Sequence, residues 1–200
     1  MTVVIKTWLD SCFRNQAMRQ EWEPVTTTRL LGFGAGMCVF FWLVHQSEPG
    51  FIFLVDHSNL LFHEAGHPLL GLVSRRLEPY GGTIGQLVFP CVLAASFWRK
   101  AEPLGVACAG VWFFENLFNI ARYLADARSM ELPLVGGGDH DWNTILGRWN
   151  LLQFDTQIAG GLKVCGWVGT ALVCAWVFYR AWQTKRNDSG VTESPVEQRG

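Results

Sequence analysis

Apolar runs separated by short polar breaks organise the chain from Leu30 onward. Leu30 to Val44, "LLGFGAGMCVFFWLV", is uniformly apolar but shorter than the roughly 20 residues that cross a bilayer. Arg29 can snorkel at its start and Trp42 can anchor near its end, so the segment reads as a span. Phe51 to Val73 is long enough to cross, yet it carries Asp56, His57, Asn59 and, inside "LLFHEAGHPLLGL", two histidines and a glutamate. A polar turn, "SRRLEPYGG", follows. Thr83 to Trp98 is a third run, expected to kink or break near Pro90, where a backbone donor is missing. Leu104 to about Ala125 is a fourth, apolar in its first half and carrying Glu115, Asn116, Asn119 and Arg122 in its second. A Gly-rich connection containing "GGGDHDW" leads to a short helix from Asp141, and Ile158 to Trp182 is the last span.

This pattern predicts an all-α fold: a multi-pass membrane helix bundle with about five spans, within a range of four to six. Residues 29–182 form the embedded domain, and the polar tail 183–200 is expected to be disordered. In residues 1–28 the apolar positions Ile5, Trp8, Leu9, Cys12 and Phe13 share one helical face. They predict an N-terminal helix lying at the membrane interface, or packed on the rest of the protein. No cleavable signal peptide is read there. Basic residues flank both ends (Arg14, Arg19 and Arg29 against Arg180, Lys185 and Arg186), so charge sets no orientation.

Composition supports the membrane reading: 50% of the 200 residues are hydrophobic, only 16% are charged, and there are 10 Trp and 14 Phe. A net charge of −1 without a basic stripe excludes nucleic acid as a partner. The six cysteines are scattered through apolar runs with no C-x-x-C pair, which speaks against a disulfide framework or a thiolate metal site.

The candidate chemistry lies in His63-Glu64-Ala65-Gly66-His67, an H-E-x-x-H. On a helix, residues i and i+4 lie one above the other, so both imidazoles can bind one Zn²⁺ while Glu64 stands beside them as general base. Each ionisable group at bilayer depth costs about 2.5 to 3.5 kcal/mol on insertion scales, so three together need a functional or paired setting. Pro68 directly after His67 predicts a bend in the helix at the metal. Asp56, Asn59, His63 and His67 form one polar stripe, which makes Asp56 and Asn59, with Asn119, candidates to orient the imidazoles.

A catalytic zinc site keeps three protein ligands and an open position. His45 sits at a span end and His57 is rotated away from His63, so the third ligand is expected from "GGGDHDW" as His140 or Asp141, with Asp126 in reserve. The competing reading of that segment is a solvated loop with Asp141 capping a short helix. Glu115, Asn119, Arg122 and Asp126 form a second polar face, expected to hold a Glu115–Arg122 or Asp126–Arg122 pair. Gln86 is expected to bond a neighbouring helix rather than a substrate strand.

An H-E-x-x-H inside a hydrophobic segment, "FHEAGHPLLGL", resembles the site-two protease family of intramembrane zinc metalloproteases. The resemblance covers about a dozen residues and implies zinc bound by His63 and His67 with Glu64 as catalytic base. The family's later Asp-Gly motif is absent, and "DHDW", with Asp141, is the nearest stand-in. The chain also looks like small bacterial membrane proteins that pair such a motif with a Gly-rich His-Asp-Trp segment, which implies a bacterial inner membrane. The expected function is a membrane-embedded zinc metallopeptidase acting on a protein or peptide in or near the lipid bilayer. The alternative is a non-catalytic metal carrier or scaffold. Haem binding fits poorly, because histidines at i and i+4 cannot ligate one haem from opposite sides.

Overall fold

The apolar runs become helices, and polar side chains on their inner faces decide how the helices meet. The computed structural model describes residues 21–46, 52–134 and 139–191, with the side chains of Leu54, Gly190 and Val191 excepted. Six α-helices and one 3-10 turn occur among the described residues, and no strand. They are α1 (Thr27–Gln46), α2 (Phe53–Gly71), α3 (Glu78–Arg99), α4 (Pro103–Ala125), α5 (Asp141–Trp149) and α6 (Asp155–Val191), with the turn at Leu152–Phe154.

Among the described residues, four segments are long and apolar enough to cross a membrane: α1, α3, α4 and Leu152–Ser189. Large apolar side chains such as Trp42, Val92, Leu172 and Phe178 stand exposed on them, the surface that lipid tails cover. The protein is an all-α membrane helix bundle. Helix α2, which covers the segment expected as a further span, is not among these four, because its histidines, Asp56, Asn59 and Glu64 dilute its hydropathy.

Several sequence expectations need correction. Helix α2 runs unbroken across Pro68, and α3 runs unbroken across Pro90. A proline costs one backbone hydrogen bond and some crowding, but it does not end either helix here, at exposed Pro68 or at buried Pro90. "EPYGG" belongs to the first turns of α3, with Pro79 in the first turn, where its missing N–H would be unbonded in any case. Helix α6 does not stop at Trp182 but continues to Val191, so nine residues assigned to a disordered tail are helical. The helical face expected within residues 1–20 lies outside the described residues, and Glu21 to Thr26 is not helical. That stretch docks on the bundle: Val25 is buried against Ala107 and Val177, and Trp22 meets Trp98 and Trp176 edge-on.

Helix α4 is the centre. It buries Ala107, Ala109, Val111, Phe118, Ile120, Ala121 and Leu124, and it packs against both α3 and α6. At its C-terminal end Ala121, Leu124 and Ala127 form a core with Leu146 and Ala159, which seats the short α5 across the ends of α4 and α6. That seat positions Asp141, the first residue of α5.

Helix α2 lies along α3 at backbone contact. A Cβ on Gly66 would overlap the carbonyl of Gly81, one on Gly81 the carbonyl of Gly66, and one on Gly85 the carbonyl of Phe62. The Gly81-x-x-x-Gly85 spacing supplies a flat face on α3, the arrangement that lets membrane helices approach closely.

Candidate metal centre

His63 and His67 project one turn apart from α2, their rings 4.9 Å between centroids. His63 is seated on Gly82 of α3, where a Cβ would collide with its imidazole. Each ring is fixed through its Nδ1. His63 Nδ1 donates to Gln86 Oε1 at 3.3 Å, and His67 Nδ1 donates to the Glu78 carbonyl at 2.9 Å. Placing the ring hydrogens there leaves both Nε2 atoms as lone-pair bearers.

Those two atoms converge on one carboxylate oxygen. Asp141 Oδ2 stands 3.0 Å from His63 Nε2 and 3.3 Å from His67 Nε2. His63 and Asp141 are buried and His67 is half-buried. Three electron-rich atoms gathered in a low-dielectric setting call for positive charge between them, supplied by a metal ion or by a proton on an imidazole that bonds Asp141. Tetrahedral ligands at metal distances of about 2.0 to 2.1 Å stand roughly 3.3 Å apart, close to the separations seen here. The group could therefore hold a divalent ion with little rearrangement.

Glu64 is half-buried and lines the cavity that opens onto these atoms, and its carboxylate has no hydrogen-bond or ion-pair partner among the described residues. The cavity measures about 840 Å³, and Arg75, Arg122 and Arg148 also line it, with Leu132, Pro133 and Leu134 as one wall. Arg148 Nη1 donates to the Arg76 carbonyl at 2.7 Å, tying α5 to the turn between α2 and α3.

Of the two residues offered as third partner, Asp141 joins the histidines and His140 does not. His140 is the N-cap of α5: its Nδ1 accepts the Asn143 N–H at 3.3 Å and its Nε2 lies 3.5 Å from Asp126 Oδ2. Its ring stacks on Tyr123. The cap that the sequence assigned to Asp141 thus falls one residue earlier, and Asp141 is released to the centre. Burial draws the His140 pKa below its ordinary value, outweighing the opposite pull of Asp126 and Asp141.

Asp126, the reserve candidate, is committed to its own loop. It accepts from Ser129 Oγ and from the backbone N–H groups of Glu131 and Leu132 at 2.7, 2.9 and 3.0 Å. Burial works to raise its carboxyl, but these hydrogen bonds prevail and hold it below the usual carboxylate range. The contribution to stability is therefore complete above the ordinary carboxylate pKa and fades only as pH falls through the lowered value. Asp126→Asn turns an acceptor into a donor that faces backbone N–H groups. It should cost about 1–3 kcal/mol of local stability and speed hydrogen exchange at residues 129–134, while exchange in α3 stays unchanged.

The other polar candidates serve helix packing. Asp56 accepts from Asn119 Nδ2 at 2.5 Å and from the Ile52 N–H. Asn59 donates to Glu115 Oε2 at 2.9 Å and accepts from Trp112 Nε1 at 2.8 Å. These bonds tie α2 to α4. Asp56 and Asn119 also line the cavity, but neither bonds to an imidazole, so the orienting role expected of Asp56, Asn59 and Asn119 falls to Gln86 and the Glu78 carbonyl. Glu115 and Asp126, expected to pair with Arg122, take Asn59 and the 129–132 loop as partners. Gln86 does bond a neighbouring helix, through His63. His57 Nδ1 meets the Phe53 carbonyl at 2.7 Å in its own first turn.

Among these contributors, Gln86 and the glycine spacing leave a trace in the sequence, as a polar residue and a small-residue repeat inside an apolar run. The Glu78 carbonyl is backbone and leaves none. No known protein family, curated protein or solved structure matches the chain.

Proposed function

We propose that the protein is a membrane-embedded zinc metallopeptidase, with His63, His67 and Asp141 as ligands and Glu64 as general base. The observation that carries this reading is the convergence of His63 Nε2, His67 Nε2 and Asp141 Oδ2 beside an unengaged Glu64 in one cavity. A His₂Asp donor set suits Zn²⁺ and leaves the fourth position for water or substrate.

A Zn²⁺ held by His63, His67 and Asp141 would supply Lewis acidity, which lowers the pKa of a water toward neutral and polarises a carbonyl. Glu64 takes the proton of that water as its oxygen bonds to the carbonyl carbon of the scissile peptide. The same carboxylic acid then delivers the proton to the amide nitrogen, the C–N bond breaks, and an amine leaves together with a carboxylic acid, whose remaining proton passes to the amine or to solvent. Gln86 and the Glu78 carbonyl keep both imidazoles in the tautomer that binds metal, work for which such outer partners account for about 10- to 100-fold in affinity. The substrate is a peptide segment in or near the bilayer. A bacterial inner membrane is proposed on the sequence resemblance alone.

The direct test is zinc content of the full chain purified in detergent. One zinc per chain is expected for the wild type and none for His63→Ala; a folded wild type that takes up no zinc overturns the reading. A metal carrier without catalysis is the competing proposal, favoured by the absent Asp-Gly motif. Under it, metal-dependent function survives Glu64→Gln and is lost in His63→Ala.

A further inference from the structure

We infer that Tyr123 is a catalytic residue of this centre, its phenol donating a hydrogen bond to the oxygen anion that develops on the substrate carbonyl during cleavage. The inference rests on the metallopeptidase reading above and adds to it a second electrophile supplied by the chain itself.

Tyr123 sits near the end of α4 and lines the same cavity as His63, Glu64 and Asp141. Its ring is held from two sides. It stacks on His140 with centroids 4.1 Å apart and 28° between planes, and it meets the edge of His63 at 5.7 Å and 75°. Its oxygen accepts the backbone N–H of Asp141 at 3.2 Å, which places the hydroxyl at the same residue whose carboxylate faces the histidines. A phenol can both accept and donate. Here the accepting side is used, while the hydroxyl hydrogen has no acceptor among the described residues. A fixed, half-buried donor left open toward a cavity is arranged for an acceptor that enters with the substrate.

The chemistry needs such a donor. When the water oxygen bonds to the carbonyl carbon, the C=O π pair moves onto oxygen and a negative charge appears there. A preorganised donor within about 2.7–3.1 Å of that position is worth roughly 10²- to 10³-fold in rate. Tyr123 lends its hydrogen bond without giving up its proton. When the C–N bond breaks, the pair returns to re-form C=O, and the proton reaching the amine is the one Glu64 took from water.

A purely structural Tyr123, holding the Asp141 N–H and nothing else, makes different predictions. The test uses the zinc-loaded full chain in detergent and compares wild type with Tyr123→Phe by calorimetric titration of two probes. One is a phosphinic peptide, whose two oxygens copy the tetrahedral centre; the other is azide, which reaches the metal through one atom. The expected result is one zinc per chain in both proteins, phosphinate binding weaker by about 100-fold in the variant, and azide binding unchanged. Equal phosphinate binding in the two proteins overturns the assignment. So does a loss of zinc, azide and phosphinate together, which marks a positioning role only, and so does a zinc-loaded wild type that ignores the phosphinate. A wild type without zinc overturns the metallopeptidase reading and this inference with it. Should Tyr123→Phe fail to fold, 3-fluorotyrosine at position 123 strengthens the donor in an intact ring. Phosphinate should then bind more tightly, and unchanged or weaker binding counts against the role.

Discussion

Glu64→Gln should leave zinc uptake at the wild-type level and lower peptide cleavage by about 10²- to 10⁴-fold, the range that a positioned general base supplies. The amide has nearly the shape of the carboxylate but cannot accept a proton from water. Glu64 has no hydrogen-bond or ion-pair partner among the described residues, so the substitution breaks no bond recorded for the fold. Thermal unfolding in detergent should therefore be unchanged. Zinc content by elemental analysis, read beside cleavage of a detergent-solubilised peptide library, separates the two effects. Undiminished cleavage would remove Glu64 from the mechanism.

Asp141→Ala should do the reverse, losing the metal before the fold. Structural zinc sites bind with roughly 10–16 kcal/mol spread over four ligands, so one ligand accounts for about 2.5–4 kcal/mol, or 10²- to 10³-fold in affinity. Helix α5 keeps its His140 cap and its buried Ile145 and Leu146 in the variant, so it should remain docked. Competition with a chelating dye of known affinity measures the loss. His140→Ala is the matched control and should hold zinc at near wild-type affinity, because His140 bonds to Asn143 and faces Asp126. Equal losses in the two variants would return the third ligand to question.

The contrast between Asp141 and His140 also marks how far the sequence alone reaches. H-E-x-x-H is a local pattern on one helix, so His63, Glu64 and His67 were legible from spacing. The third partner arrives from a residue 78 positions away from His63, and only the seat that Leu146 finds between Ala121, Leu124 and Ala159 decides which residue of "DHDW" turns inward. The spans were legible for the same local reason, since long apolar runs need no partner to be recognised. The polar stripes were visible too, but their partners were not. Asp56 and Asn59 share a face with His63, yet α4 rather than the metal site claims them, through Asn119, Trp112 and Glu115. The break offered as one outcome at Pro90 follows from backbone chemistry in isolation, and the helix nonetheless continues through it, as α2 does through Pro68.

The glycine contact between those two helices bears on the motif itself. In H-E-x-x-H the two middle letters are usually treated as spacers, but here Gly66 is one of the points, with Phe62, at which α3 touches the backbone of α2. Gly82 leaves His63 its place on the other side of the contact. A designer who grafts "HEAGH" onto another membrane helix would move the letters and leave behind the surface that aims them. The portable unit of this centre is the pair of helices, with "GGTIG" as much a part of the signature as the histidines.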